Sequence, residues 1–244
     1  MPFWIAPLLI APFIGSFLGV LIRRLPAGRP IVFGRSTCEA CGRVLAIRDL
    51  FPLVSYAVLR KRCRTCGTRI AAGHFAIEAA ALAVAACGVW TQPNAARIWA
   101  GCILGWGLLA LAWIDWEHMR LPDVLTLPLV LLGLLATAVI EPDAVTDHAI
   151  AAALGYLSFR AISGGYRLLR GREGLGQGDA KLLAAGGAWV GLRLLPDIVL
   201  VGALLGLCMA GAQALRGRKL RADLPVAFGP SLALATWVVW LMSP

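Results

Sequence analysis

The sequence has little charge, and little of that charge is negative. Of 244 residues, 15% are charged, with 13 Asp or Glu against 23 Lys or Arg. Hydrophobic residues make up 59% of the chain, and the mean hydropathy is +0.78. A soluble domain of this size could not bury so much apolar surface, so the composition predicts a membrane protein. Each helix that crosses a hydrocarbon core of about 30 Å needs roughly 20 apolar residues.

The long apolar runs predict an all-α, polytopic membrane protein of about eight transmembrane helices. The candidate spans are residues 4–22, 75–91, 96–115, 124–140, 147–168, 180–192, 197–215 and 225–242. No basic residue precedes the first run, whereas Arg23 and Arg24 follow it directly. A cleaved signal peptide has the opposite order, so we expect a retained anchor.

Positive charge is concentrated in one loop, residues 23–74, which holds eleven Lys or Arg against only Glu39 and Asp49. Because basic loops are retained in the cytoplasm, the N-terminus is expected outside and this loop inside. The loop lacks the interleaved aromatic residues on which bases stack, so no nucleic acid partner is expected. Anionic membrane lipid of the inner leaflet is the partner that this charge favours.

The same loop contains two Cys-x-x-Cys pairs, each followed by Gly, and 21 residues separate the pairs. Their cysteines are Cys38, Cys41, Cys63 and Cys66. Four thiolates with this spacing are typical of a tetrahedral structural Zn²⁺ site, and the glycine after each pair permits a tight turn. Two disulfides are the competing interpretation, but cytoplasmic thiols stay reduced. Redox chemistry and a vestigial site remain further alternatives. We therefore predict a small zinc-binding cytoplasmic domain, whose folding would depend on the metal.

Two aspartates are expected at the inner membrane face, each from a different helix. Asp115 ends the third predicted span, and Asp179 precedes the sixth. Carboxylates near a membrane are costly unless they are paired, hydrated or functional. Asp179 could instead be an ordinary N-cap of a helix that begins at Ala180, and Asp115 could extend into the interface water. From the residues alone, a catalytic pair and these structural roles both stay open.

Other nucleophiles are missing. The sequence has no Gly-x-Ser-x-Gly and no His-Glu-x-x-His, and its three histidines are scattered. A paired-aspartate site needs one ionised carboxylate as general base for water and one protonated carboxylate to polarise a carbonyl. Gly176 and Gly178, just before Asp179, would let a substrate strand come close to the backbone.

At these residues the chain resembles the prepilin peptidases, the bacterial type IV leader peptidases among the GxGD aspartyl proteases. The resemblance covers nearly the whole chain. The similar segments are GSFLGVLIRRLP at 15–26, the twin CxxCG motifs around FPLVSY at 51–56, WGLLALAWIDWEHMRLPDVLTLP at 106–128, GREGLGQGDAKLLAAGGAWVG at 171–191 and FGPSLALA at 228–235. The family also has eight helices and an outside N-terminus.

The resemblance implies that Asp115 and Asp179 are the catalytic pair of a membrane aspartic endopeptidase. It implies that the substrate is a type IV prepilin or pseudopilin, whose short basic leader is cut after a glycine at the cytoplasmic face of the bacterial inner membrane. It further implies N-methylation of the new N-terminus with S-adenosylmethionine, an activity assigned to the first cytoplasmic loop. The expected division is a first helix at 1–22, a zinc-binding loop domain at 23–74 and a peptidase domain at 75–244.

The chain departs from the family pattern in the part assigned to methylation. Gly19 replaces a common Asn, Glu39 replaces a Pro after the first Cys, and residues 73–75 replace Arg-Tyr-Pro. A peptidase that has lost methylation is therefore an alternative. A transporter or assembly scaffold would need carboxylates deep in its spans or inverted repeats, and neither is evident. The intact aspartate motifs argue against a pure methyltransferase.

Overall fold

The computed structural model describes residues 4–31, 34–38, 40–46, 49–171, 174–216 and 227–243. Within these ranges the structure is helical, and the extended pairings there are two isolated bridges, Thr37↔Val44 and Arg62↔Arg69. The expected all-α fold is therefore confirmed. Glu39 and the first two residues of the predicted span 225–242 lie outside the described residues.

Eight α-helices follow one another along the described chain. They are α1 (Ile5–Arg24), α2 (Val54–Val58), α3 (Ala72–Thr91), α4 (Ala95–His118), α5 (Asp123–Ile140), α6 (Val145–Arg170), α7 (Gln177–Leu215) and α8 (Gly229–Met242), with a 3₁₀ turn at Pro142–Ala144. Five of them, α1, α3, α4, α5 and α7, are long and apolar enough to cross a membrane, and α8 is a shorter apolar helix. The chain is thus a multi-pass membrane protein, and the count of eight spans stays a prediction.

The predicted spans 180–192 and 197–215 both fall within α7, which is interrupted at Gly191. Gly191 has φ 76° and ψ 179°, a backbone conformation that glycine alone adopts readily. The two predicted spans leave residues 193–196 between them as a connection outside the helices. That boundary is wrong, because the helical backbone is broken at Gly191 and continues through Pro196.

The chain divides into two compact units, residues 1–106 and 107–244. In the first unit α1 packs against α3. A Cβ on Gly15 of α1 would lie 2.6 Å from the Cα of Glu78 on α3, so the two backbones approach closely because Gly15 has no side chain. The Trp106 indole donates a hydrogen bond of 3.0 Å to the Ala81 carbonyl, which ties α4 to α3.

In the second unit the first half of α7 is the central element. Every residue from 179 to 191 except Lys181 is buried, and α7 packs against α5, α6 and α8. Small residues make this possible: a Cβ on Gly187 would lie 2.5 Å from the Ala151 carbonyl oxygen of α6. The Trp189 indole donates to the Leu129 carbonyl of α5 at 2.8 Å. The half-helix that begins beside Asp179 is therefore held firmly by its neighbours.

Candidate active site and metal centre

Asp115 lies in the last turn of α4, which continues to His118 and so ends three residues beyond the predicted span. Its side chain is buried, with 6% of the residue exposed. The carboxylate Oδ2 accepts a hydrogen bond of 3.1 Å from the backbone N–H of Gly229, at the start of α8. A helix N-terminus favours negative charge, so α8 helps to offset the cost of burying this carboxylate.

Asp179 is the third residue of α7, because this helix begins at Gln177 with Gly176 as its N-cap. The interpretation of Asp179 as the N-cap of a helix beginning at Ala180 is therefore wrong. Its carboxylate instead reaches back and accepts a hydrogen bond from the Gly176 backbone N–H, as the third residue of a capping box does. Asp179 is 9% exposed.

The two aspartates interact electrostatically with each other inside the second unit. They come from separate helices, both are buried, and each accepts a hydrogen bond from the backbone N–H of a glycine. Two buried carboxylates that repel each other resist ionising together, so the pair can hold one proton between them. This arrangement can supply a general base and a general acid to the same reaction.

The glycines before Asp179 have close neighbours of their own. A Cβ on Gly176 would lie 3.1 Å from the Asp179 Oδ2, and one on Gly178 would lie 2.7 Å from the Cβ of Leu121. Leu121 belongs to the connection between α4 and α5, so Gly178 allows that connection to lie against the start of α7. The role of Gly176 and Gly178 beside a substrate stays a prediction.

Gly229 is the site residue that the sequence analysis missed. A Cβ there would lie 2.6 Å from the Asp115 Oδ2, so the close approach of α8 to Asp115 requires glycine. The signal in the sequence is the Gly229-Pro230 pair, since Pro is favoured in the first turn of a helix. That signal predicts where α8 begins, and it contains no information about which side chain the helix start contacts.

The neighbouring Asp123 is not part of this pair. It is the first residue of α5, and its carboxylate forms an ion pair with Lys181 of α7. Both side chains are at least a quarter exposed, so the pair links the two helices at the surface and contributes at most about 1 kcal/mol to stability.

The four predicted metal-binding cysteines lie together in the first unit. All their Sγ atoms are within 4.8 Å of one another. The two motifs fold alike: Gly42 N–H donates to the Cys38 carbonyl at 2.9 Å, and Gly67 N–H donates to the Cys63 carbonyl at 3.0 Å. Both glycines have a φ of 69°, as the predicted tight turns require.

The cysteine cluster has the dimensions of a tetrahedral metal site. Zn–S bonds of about 2.3 Å place the sulfurs of a tetrahedron about 3.8 Å apart. The Sγ atoms of Cys38 and Cys66, one from each motif, are 3.8 Å apart. Hydrogen bonds with Thr68 lower the pKa of the Cys66 thiol to about 6, and backbone hydrogen bonds at Cys41 and Ala40 lower the pKa of Cys38. At Cys41 a backbone hydrogen bond at Arg43 lowers the pKa, but the hydrogen bond with Cys38 and desolvation raise it to about 11 overall. The four residues therefore could hold a metal ion such as zinc.

Comparison with known proteins covers nearly the whole chain. Residues 102–211 match the profile of the type IV leader peptidase family, and residues 9–92 match the bacterial peptidase A24 N-terminal domain. No solved structure matches at a significant level.

Three relatives bear the name prepilin leader peptidase/N-methyltransferase. The protein from Pseudomonas aeruginosa is 34% identical over 264 aligned positions, which cover 99% of this chain and 91% of the relative. The Dickeya chrysanthemi protein is 39% identical, with 95% and 89% covered. The Aeromonas hydrophila protein is 36% identical, with 96% and 88% covered. At this level of identity over nearly the full length of both partners, the chain belongs to the type IV leader peptidase family.

Proposed function

We propose that this protein is a membrane aspartic endopeptidase that removes the short basic leader from type IV prepilins or pseudopilins. The names of its relatives support the substrate class. The observation that carries the proposal is the buried pair Asp115 and Asp179, contributed by α4 and α7, each fixed by a glycine N–H. No transport or scaffolding role is suggested by the relatives.

The proposed chemistry needs one proton shared by the pair. The ionised aspartate takes a proton from water as the water oxygen bonds to the scissile carbonyl carbon, and the protonated aspartate donates to the carbonyl oxygen. Collapse of the tetrahedral intermediate breaks the C–N bond, and the amine leaves with a proton from the pair. Helical peptide carbonyls accept hydrogen bonds within the helix, so the substrate must be locally extended at the cleaved bond.

The proposed location is the bacterial inner membrane, with the N-terminus outside and the active site at the cytoplasmic face. The charge distribution supports this orientation, because the loop that follows α1 is strongly basic. Basic residues at that face would also be attracted to anionic lipid headgroups.

We further propose that the protein methylates the new N-terminus with S-adenosylmethionine, as the relatives' names indicate for those proteins. The loop domain at 23–74 would carry this activity, with zinc on Cys38, Cys41, Cys63 and Cys66 as its structural metal. The peptidase domain would be 75–244, after the first helix at 1–22. A cleavage-only peptidase is the alternative, since Gly19 and residues 73–75 depart from the family pattern.

The test is cleavage of a prepilin peptide by the purified full chain, followed by mass spectrometry of the products. Asp115→Asn and Asp179→Asn should each abolish cleavage, because Asn cannot exchange a proton with its partner. Asp143→Asn, at an exposed position in the 3₁₀ turn, is the matched control and should cleave normally.

The same spectra report on methylation. With S-adenosylmethionine present, the cleaved product should gain the mass of one methyl group. Cleavage by either aspartate variant would overturn the catalytic assignment. Cleavage without the added mass would support the proposed peptidase activity and overturn the proposed methyltransferase activity.

A further inference from the structure

The segment Phe51–Val58, in the loop between α1 and α3, packs against the flanks of these two helices. The ring of Phe51 meets that of Phe13 on α1 edge-on, with centroids 5.8 Å apart. The backbone N–H of Leu53 donates a hydrogen bond of 2.7 Å to Glu78 Oε2 on α3. The ring of Tyr56 stacks on that of Phe75 at 5.0 Å. The segment is thus attached to both helices.

The contacts with Phe13 and Glu78 lie inside the helices, whereas Phe75 is in the first turn of α3. Phe13 precedes Arg23, the first basic residue of the last turn of α1, by ten residues, which is about 15 Å of helix. Glu78 lies six residues beyond the first residue of α3, which is about 9 Å. Since α1 and α3 are long and apolar enough to span a membrane, a segment that contacts them here lies below the membrane surface.

The outward side of the segment is apolar and uncovered. Phe51, Val54 and Val58 are 52%, 57% and 68% exposed, whereas Pro52 is buried. The basic run Arg60, Lys61 and Arg62 follows one residue after the segment, and Lys61 lies over the Tyr56 ring at 6.0 Å. An apolar side followed by a cluster of cations matches an anionic bilayer, with acyl chains beside the valines and headgroup phosphates beside the cations.

We infer that Phe51–Val58 is a re-entrant segment that inserts into the bilayer beside α1 and α3, and that anionic phospholipid covers its exposed apolar side. The loop expected to be cytoplasmic is then held to the membrane at its centre. This inference depends on the packing within the first unit and not on the proposed peptidase activity.

Glu78 explains how irregular backbone is tolerated at this depth. Non-helical backbone within a membrane must find hydrogen-bond partners in the protein. The Glu78 carboxylate is the hydrogen-bond acceptor for the backbone N–H of Leu53, and the Ser16 hydroxyl of α1 in turn donates to Glu78. Leu53 has a φ of 60°, which a branched residue rarely adopts unless its surroundings impose it. Glu78 is an acidic residue inside a predicted span, and the proposed catalysis does not use it. Its hydrogen bonds make it the tether of the segment.

The experiment places a photoreactive benzophenone amino acid, in the otherwise unchanged full chain, in place of Val54 or Val58. Membrane vesicles of phosphatidylethanolamine and phosphatidylglycerol are irradiated, and mass spectrometry detects phospholipid adducts. Leu131 of α5, 62% exposed on an apolar span, is the positive control position. Ala40, exposed between Cys38 and Cys41, is the negative control. We expect adducts at 54 and 58 as at 131, and background levels at 40.

Glu78 variants test the tether. Glu78→Leu removes the acceptor, and hydrogen bonds to charged groups are strong enough that the docked segment should be disfavoured at least about tenfold, with loss of lipid adducts at 54. Glu78→Gln keeps an acceptor oxygen and should retain them. Water-only products at 54 and 58, or adducts to a second protein chain instead of lipid, would overturn the inference. Unchanged lipid adducts in Glu78→Leu would overturn the tether.

Discussion

At the scale of single residues, two glycines orient the carboxylates of Asp115 and Asp179. Gly176 and Gly229 each provide a backbone N–H to one aspartate, and neither position has room for a Cβ without crowding the carboxylate that it holds. The carboxylates are thereby oriented by main-chain atoms, which cannot change rotamer. The proposed catalysis, in which the pair shares one proton, would depend on this kind of fixed geometry.

We predict that Gly229→Ala lowers the rate of prepilin cleavage by at least about tenfold. The added Cβ would lie 2.6 Å from the Asp115 Oδ2, so the carboxylate must move, and displacements of about 1 Å can cost about a hundredfold in rate. The measurement is kcat/KM with a prepilin peptide, normalised to the amount of folded enzyme recovered in detergent.

Gly206→Ala is the matched control for this substitution. It adds the same methyl group between α7 and α8, but its Cβ would meet the Phe228 ring at 3.5 Å, an ordinary van der Waals distance. This variant should cleave at the rate of the unmodified chain. Equal rates for Gly229→Ala and Gly206→Ala would show that Asp115 does not need the close approach of α8.

The sequence could propose the two aspartates as a pair, but it could not predict their surroundings. Asp115 and Asp179 belong to recognisable local motifs, whose spacing is visible along the chain. The contact of Gly229 with Asp115 joins residues 114 positions apart. No local pattern records such a contact, because it depends on how α8 packs beside α4.

At the scale of helices, the break in α7 is capped by two adjacent residues of α6. Asp147 Oδ2 accepts a hydrogen bond of 2.8 Å from the Leu192 N–H, which begins the second half of α7. His148 Nδ1 lies 3.0 Å from the Ala188 carbonyl and 3.0 Å from the Thr137 hydroxyl of α5. A carbonyl can only accept, so Nδ1 carries the hydrogen. Backbone groups freed by the break are thus satisfied from a neighbouring helix.

We predict that Gly191→Ala destabilises the protein by at least about 2 kcal/mol, because alanine is strained at φ 76° and ψ 179°. Its Cβ would also lie 2.6 Å from the Asp147 Oδ2. Gly211→Ala, in the same element, meets nothing within 4 Å and should change stability by no more than about 1 kcal/mol. The fraction of each variant that stays monodisperse after heating in detergent reports the difference, and equal losses would contradict the prediction.

Apolar runs predicted the helices well and their interruptions poorly. The long runs gave the positions of α1, α3, α4, α5 and α6 to within a few residues. For α7, the sequence predicted two separate spans, 180–192 and 197–215, with a connection at residues 193–196. The helix can break at Gly191 because Asp147 and His148 of α6 form hydrogen bonds with the backbone groups that the break frees. The apolar run itself contains no signal for these contacts.

At the scale of the whole chain, the two groups of candidate functional residues belong to different compact units. The cysteine cluster belongs to the unit of residues 1–106, and the aspartate pair belongs to the unit of residues 107–244. The matched profiles, 9–92 and 102–211, divide the chain in nearly the same place. The boundary between the units falls within α4, at residues 106 and 107. The predicted functional division at residue 74 remains a prediction.

This separation leads to a prediction about metal removal. The purified chain should contain one zinc ion, and Cys38→Ser or Cys63→Ser should lose it, since either change removes one of four ligands. Cys208→Ser, an exposed cysteine on α7, is the control and should keep its zinc. Elemental analysis by mass spectrometry gives the metal content of each variant.

The activities of the zinc-free variants should then differ. Because the cysteines stabilise the loop of the first unit and the aspartates lie in the second, Cys38→Ser should still cleave a prepilin peptide within about threefold of the normal rate while losing at least about tenfold in methylation. The ratio of methylated to cleaved product comes from one mass spectrum and does not depend on protein recovery, and the cleavage rate is normalised to the amount of folded enzyme. A parallel loss of cleavage and methylation would mean that the metal site also supports the aspartate pair. Normal methylation without zinc would mean that the loop folds without the metal.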